Sequence, residues 1–126
     1  MAVGKLAAIQ VDCVDPVVVA RFWSGVFGSE ILEPLGDPPH YVNLGPSPAA
    51  PDGVMVAFQR VPEPRAGKNR LHFDVEVDDV EVATTRVEAL GGTRAPTADF
   101  HEYGYRWRVM ADPEGNEFCL IYALSD

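Results

Sequence analysis

The chain has 126 residues, a hydrophobic fraction of 47% and a formal net charge of −9. This length corresponds to one domain, and the composition is typical of a globular protein rather than a disordered one. No apolar run approaches the roughly 20 residues of a membrane span, and the absence of a Lys/Arg cluster argues against nucleic acid and anionic membranes as partners.

The first half of the chain has the pattern of a strand followed by a helix. Alternating side chains over residues 6–14 predict a strand. Asp15 is suited to cap a helix over residues 16–27, and Gly28 is suited to end it. Three short strand-like pieces complete this half, near residues 30–35, 40–45 and 53–61.

After a polar link at residues 61–70 the pattern starts again. Residues 71–78 alternate as a strand, with His72 on the polar face. A helix is expected over residues 79–90, with Asp78 as its cap and two glycines at its end. Three further strands are predicted, at residues 93–96, 105–111 and 116–123.

The two halves are related by an internal repeat. A shift of 64 residues matches Asp15 with Asp79, and near the ends of the halves a shift of 60 matches Phe58 with Phe118. Such a repeat determines the architecture of a chain. The predicted class is α+β, a single domain of two tandem βαβββ modules that form a half-barrel cup with helices outside. Module one spans about residues 1–62 and module two about 69–126.

Three stretches resemble the glyoxalase/bleomycin-resistance/extradiol-dioxygenase superfamily, also called the vicinal oxygen chelates. They are RFW in the first helix, RLHFDVEVDD at 70–79 and DPEGNEF at 112–118. Residues 58–77 are similar to its glyoxalase-like domain branch. The resemblance covers nearly the whole chain. It implies the fold but no particular reaction, because function depends on the site.

The resemblance also implies a divalent metal held at four positions, one in the first and one in the last strand of each module. In this sequence those positions hold Ala8, Gln59, His72 and Cys119. Gln10 and Glu117, two residues along the same faces, could form a shifted site. Because Ala8 has no donor atom and Gln59 is a weak ligand, we expect no resident metal. The alternative is one zinc, manganese, nickel or iron ion on His72 and Gln59.

Several residues of the second module are candidates for a binding site. Tyr105 and Trp107 share one strand face, and Trp107 is either a pocket wall or a core residue. His72 is a ligand, a donor to a bound molecule or a wall residue, beside Asp74. Cys119 is a nucleophile or redox site if a base such as His72 lowers its pKa, and otherwise a buried apolar side chain.

Three functions fit the sequence. The preferred hypothesis is a metal-independent protein that binds a small organic molecule, aromatic or cationic, in the cup. The second is a metal-dependent lyase, isomerase or dioxygenase with a non-standard ligand set. The third is a non-catalytic scaffold with a filled cup. A homodimer is expected, since sheet edges require cover. The apolar settings of Cys13 and Cys119 indicate buried free thiols and a cytoplasmic location.

Overall fold

A computed structural model describes residues 1–123 of the chain, which divides into two compact units, Met1–Pro64 and Arg65–Asp126. Unit one contains β1 (Ala8–Cys13), α1 (Pro16–Phe27), β2 (Tyr41–Asn43) and β3 (Met55–Arg60). Unit two contains β4 (Asp74–Glu76), α2 (Val80–Ala89), β5 (Thr93–Arg94), β6 (Phe100–Glu102), β7 (Tyr105–Ala111) and β8 (Glu117–Ala123). The predicted α+β class is confirmed. In the described part of the chain, neither helix has the length and apolarity to cross a bilayer.

Both units build their sheets on the same plan. In unit one the strand order is β1-β3-β2, with β1 parallel and β2 antiparallel to β3. In unit two the order is β4-β8-β7-β5, with β4 parallel and β7 antiparallel to β8, and β6 pairs with β7. The first and last strands of each unit are therefore neighbours in both sheets.

The structure differs from the strand prediction at several places. The strand predicted over residues 71–78 is only β4, which begins at Asp74, so His72 lies just before it. Residues 30–35 form only isolated bridges, at Ile31 and Leu35, in a segment interrupted by proline. An additional strand, β6, lies where no strand was predicted. It returns into β7 through the two-residue loop Tyr103-Gly104, in which both residues have positive φ (51° and 81°). That geometry is typical of a tight hairpin, but Tyr in such a loop is not a recognisable turn signal.

The helix ends follow ordinary capping chemistry. The Asp15 carboxylate accepts hydrogen bonds from the backbone N–H groups of residues 17 and 18, and Gly28 ends α1 in the left-handed conformation at φ 67°. In α2 the cap is Asp79, which accepts from residues 81 and 82. The prediction of Asp78 as the cap was wrong. Asp79 is the residue that the 64-residue repeat matches with Asp15.

The two helices bury different kinds of side chain. In α1, Phe22 and Trp23 are buried with ring centroids 5.1 Å apart, edge to face. In α2 the buried positions are Thr84 and Val87. The helix of unit two therefore buries a hydroxyl group and an aliphatic side chain, whereas the helix of unit one buries aromatic rings.

Candidate functional site

One face of the unit-two sheet carries an open pocket of about 530 Å³. Alternate residues of β4, β7 and β8 form its floor, and the rest comes from His72, just before β4, and from the β6–β7 hairpin. The lining residues are His72, Asp74, Glu76, Glu102, Tyr103, Tyr105, Trp107, Cys119 and Ile121. A second pocket of about 290 Å³ shares Glu76, Tyr105 and Ile121 with it. All the lining residues of both pockets belong to unit two.

Strand register explains why these side chains meet. Asp74 pairs with Cys119 across the parallel β4–β8 ladder, and Trp107 pairs with Ile121 across the antiparallel β7–β8 ladder. Paired residues point to the same face of a sheet, and residues two apart share that face. The intervening residues of β8, such as Phe118, are fully buried on the opposite side.

A cluster of potential metal ligands lies in the pocket. Donor atoms of His72, Asp74 and Cys119 all fall within 4.8 Å of one another, and His72 Nε2 lies 3.3 Å from Asp74 Oδ1. Cys119 is 8% exposed, whereas His72 and Asp74 are about half exposed. Burial, and then the nearby Asp74 carboxylate, raise the pKa of the Cys119 thiol. This environment favours a buried neutral thiol over a thiolate nucleophile.

Aromatic rings form one wall of the pocket. Trp107 is half-buried and its ring stacks on Phe100, with centroids 5.4 Å apart and planes 13° from parallel. Tyr105 and Tyr103 extend the wall and are largely exposed, Tyr103 to 94%. The structure thus places Trp107 in the pocket wall, the first of its two predicted settings.

Carboxylates dominate the polar part of the lining. Asp74 and Glu76 come from β4, and Glu102 comes from the end of β6. Among the described residues that line the pocket, there is no Lys or Arg. The pocket therefore presents a negative field to a bound molecule, and low-dielectric aromatic walls strengthen such a field.

The remaining sequence candidates lie elsewhere. Glu117 accepts a hydrogen bond from Lys68 Nζ at 3.1 Å and is not among the residues lining this pocket. Gln10 and Gln59 lie on β1 and β3 of unit one. Sequence reasoning also missed Phe100, Glu102 and Tyr103 as lining or supporting residues, because β6 was not recognised.

Strand register also revises the repeat near the ends of the units. Gln10 pairs with Ala57 in unit one, and Asp74, its counterpart after a shift of 64, pairs with Cys119 in unit two. The counterpart of Cys119 is therefore Ala57, which corresponds to a shift of 62 rather than 60. Gln59 lies two residues further along the same strand, and its role as a ligand stays a prediction.

The comparisons with known proteins agree with this fold. The sequence matches the family described as "Glyoxalase-like domain" over residues 8–121. No curated protein matches it significantly. Its fold is similar to that of a glyoxalase/bleomycin resistance protein/dioxygenase family enzyme from Burkholderia phytofirmans PsJN, with 20% identity, a TM-score of 0.74 and coverage of 96% of this chain and 100% of that one.

Two further solved structures share the fold. The fosfomycin resistance protein FosX from Listeria monocytogenes is 16% identical, with a TM-score of 0.72 and coverage of 98% of this chain and 96% of that one. The oxidase ChaP-H2 is 18% identical, with a TM-score of 0.67 and coverage of 98% and 96%. At these identities the likeness extends to the fold, and the site must be interpreted from its own residues.

Proposed function

The chain belongs to the glyoxalase-like domain family, and from this premise we propose that it binds a small aromatic cation in the pocket of unit two. The observation that carries the proposal is the pairing of an aromatic wall with an acidic floor. A volume of about 530 Å³ lies within the usual range of small-molecule sites.

The two walls select for the same kind of molecule. A planar cation can stack on Trp107 or Tyr105, where the ring faces attract positive charge. Asp74 and Glu76 supply opposite charge and accept hydrogen bonds from ring-bound N–H groups. An anion of the same shape would meet these carboxylates without a compensating Lys or Arg among the described lining residues.

Three acridines of nearly equal size test this proposal. 9-Aminoacridine is a cation at neutral pH, acridine is neutral and acridine-9-carboxylate is an anion. We expect calorimetry to show that the cation binds most tightly, the neutral molecule less tightly and the anion least. The cation should bind about tenfold more tightly than the neutral molecule, because one favourable charge interaction contributes about that factor in affinity. Equal affinities for the three, or no binding of any, would overturn the proposal.

A matched pair of variants locates the binding site. Glu76→Gln removes one charge from the pocket, while Glu88→Gln removes the same charge from the exposed side of α2. We expect the first to weaken 9-aminoacridine binding by about five- to tenfold and the second by less than twofold, because exposed charges at a distance are screened by salt. An equal loss in both variants would indicate a non-specific electrostatic effect.

A divalent metal is the second candidate, favoured by the cluster of His72, Asp74 and Cys119. The cluster offers one nitrogen, one oxygen and one sulfur donor, a set that suits zinc with one coordination position open. A bound ion would act as a Lewis acid toward an oxygen of the ligand. Asp74 is not one of the four positions implied by the family resemblance, and its carboxylate adds a charged oxygen donor to His72 and Cys119.

Titration of stripped protein with zinc, manganese, nickel and iron, followed by thermal melting, tests the metal. Stoichiometric binding that is lost in His72→Ala and Cys119→Ser but kept in His101→Ala would support an enzyme. His101 is an exposed histidine of the same unit outside the cluster. Gln59→Ala tests whether unit one contributes a ligand. No binding of any metal would leave the metal-independent function.

We also propose a homodimer that resides in the cytoplasm. Among the described residues, β1 has one strand neighbour in its own sheet, β3, and β4 has one, β8, so both are edge strands, and edge strands are commonly covered by a partner. Cys13 and Cys119 are both buried thiols, which suits a reducing compartment. Light scattering at micromolar concentration should give twice the chain mass. A dimer that binds neither acridines nor metals would favour the scaffold hypothesis instead.

A further inference from the structure

A buried arginine lies directly behind the pocket, on the helix side of β7. Arg108 is 5% exposed. Its guanidinium donates to the Asp99 carboxylate through Nε at 2.8 Å and Nη2 at 2.9 Å. The same group donates to Thr84 Oγ1 at 2.9 Å and to Glu81 Oε1 at 2.7 Å on α2. A bidentate contact between a guanidinium and a carboxylate fixes the orientation of the two groups as well as their distance.

Asp99 accepts hydrogen bonds from more than one side chain of this network. Besides Arg108, it accepts hydrogen bonds from the Tyr122 hydroxyl of β8 and from Arg94 of β5, the latter at 3.5 Å. The hydrogen bonds from Arg108 contribute most to holding the pKa of Asp99 below its ordinary value, so the carboxylate stays charged at neutral pH. Side chains from three strands thus converge on one residue of a connecting segment.

That residue immediately precedes the strand that completes the pocket. Phe100 follows Asp99 in the chain and stacks on Trp107, and Glu102 and Tyr103 line the pocket two and three residues later. All three residues of β6 are exposed, and in the described part of the chain β6 pairs only with β7. A short two-stranded extension of this kind is marginally stable by itself.

We propose that Asp99 and Arg108 are positioning residues that hold the β6–β7 hairpin over the pocket. They act from the opposite side of the sheet, because Arg108 alternates with Trp107 along β7. Fixing Asp99 sets the path of the chain into β6, so that Phe100 supports Trp107 and Glu102 faces the bound cation. The effect on affinity rests on the proposed function, whereas the effect on the hairpin does not.

Two isosteric variants separate positioning from general stability. Asp99→Asn and Glu81→Gln each remove one carboxylate that accepts from Arg108, but only Asp99 leads into β6. In Asp99→Asn we expect faster amide hydrogen exchange over residues 100–105, unchanged exchange in α2, and 9-aminoacridine affinity about tenfold weaker. In Glu81→Gln we expect hairpin exchange and affinity within twofold of the unmodified protein.

Additional variants keep the inference testable if Asp99→Asn does not fold. Tyr122→Phe removes one hydrogen bond to Asp99 and keeps its contact with Arg108, so exchange over residues 100–105 should rise by a smaller factor. Asp99→Glu retains the charge and should recover part of the hairpin protection. Unchanged hairpin exchange in both Asp99→Asn and Tyr122→Phe would overturn the inference, and so would equal effects in Asp99→Asn and Glu81→Gln. If Asp99→Asn does not fold, unchanged hairpin exchange in Tyr122→Phe overturns it.

The outcome for the hairpin is independent of the outcome for the ligand. If the unmodified protein binds no acridine, the proposed function fails, and hydrogen exchange still decides whether Asp99 positions the hairpin. If the cation binds and Asp99→Asn loosens the hairpin without changing affinity, Glu102 and Tyr103 do not contribute to binding, and the positioning role in ligand recognition fails while the proposed function stands.

Discussion

The two units share a topology but stabilise it with different chemistry. In unit one, α1 packs aromatic rings into the interior, with Phe22 and Trp23 both buried. In unit two, α2 buries Thr84 and Val87, and Thr84 accepts from the buried guanidinium of Arg108. The same arrangement of strands and helix therefore tolerates either an apolar or a hydrogen-bonded ionic interior, provided that every buried polar group has a partner.

The units differ equally on the sheet face that carries the pocket. After a shift of 64 residues the position of His72 corresponds to Ala8, and by strand register the position of Cys119 corresponds to Ala57. Neither alanine can donate to a metal or accept from a ligand. The two units thus share a strand arrangement, while donor side chains at these two positions occur only in unit two.

The largest expected effect is the difference in stability loss between alanine variants of the two tryptophans, Trp23 and Trp107. Trp23→Ala should lower the free energy of unfolding by about 3–5 kcal/mol, because a large side chain that is 2% exposed leaves a cavity. Trp107→Ala should cost about 1 kcal/mol in stability, since Trp107 is half-buried, but should abolish most acridine affinity. Urea unfolding and calorimetry measure the two quantities. Comparable destabilisation by both variants would contradict the contrast.

A double-mutant cycle tests the ionic interior of unit two. Arg108→Met should lower the free energy of unfolding by about 2–3 kcal/mol, because it leaves Asp99 without its main donor. The double variant Arg108→Met with Asp99→Asn should be less destabilised than the sum of the single variants. Additive losses in urea unfolding would mean that the two side chains stabilise the unit independently.

Helix capping should be the feature in which the units behave alike. Asp15→Ala and Asp79→Ala should each lower the free energy of unfolding by about 1 kcal/mol, since each removes two hydrogen bonds to the first turn of a helix. Asp78→Ala is the matched control, because Asp78 precedes the cap without capping, and should stay within about 0.5 kcal/mol. A larger loss from Asp78→Ala than from Asp79→Ala would contradict the assigned cap.

These contrasts show which features the sequence could predict. Local chemistry was sufficient for the helix boundaries, where Asp15 and Gly28 act within one turn of the residues that they cap. Alternation was sufficient to place His72 and Asp74 on the same side of the chain, where both line the pocket, although β4 begins only at Asp74. The choice between Asp78 and Asp79 was the exception, and the repeat resolved it better than propensity did.

Features that depend on tertiary pairing could not be predicted in the same way. Arg108 lies in a strand where alternating charge normally indicates a solvent face, and its burial follows from partners far away in sequence, Glu81 and Asp99. Tyr103 has a positive φ in the hairpin, and because tyrosine rarely adopts this conformation, its presence did not predict a turn. The acidic and aromatic walls of the pocket meet only after β4, β7 and β8 have paired.

The smallest expected effect is the pH dependence of the ionic interior. The pKa of Asp99 lies below its ordinary value of 3.8 mainly because Arg108 donates hydrogen bonds to the carboxylate. A depressed pKa in the folded state contributes stability that is fully present above the pKa of the unfolded chain and is lost as pH falls through the folded pKa. We therefore expect the stability difference between the unmodified protein and Asp99→Asn to be constant from about pH 7 to pH 5 and to shrink below about pH 4.

Urea unfolding at intervals between pH 5 and pH 2 measures this difference directly. Glu81→Gln is the control, since the pKa of Glu81 is also lowered by Arg108 but its side chain is 73% exposed, so solvent screens the interaction. The stability curve of Glu81→Gln should approach that of the unmodified protein at every pH. If the curve of Asp99→Asn stays parallel to that of the unmodified protein down to pH 2, the Asp99 charge does not stabilise unit two, and its contribution lies in hydrogen-bond geometry that Asn reproduces in part.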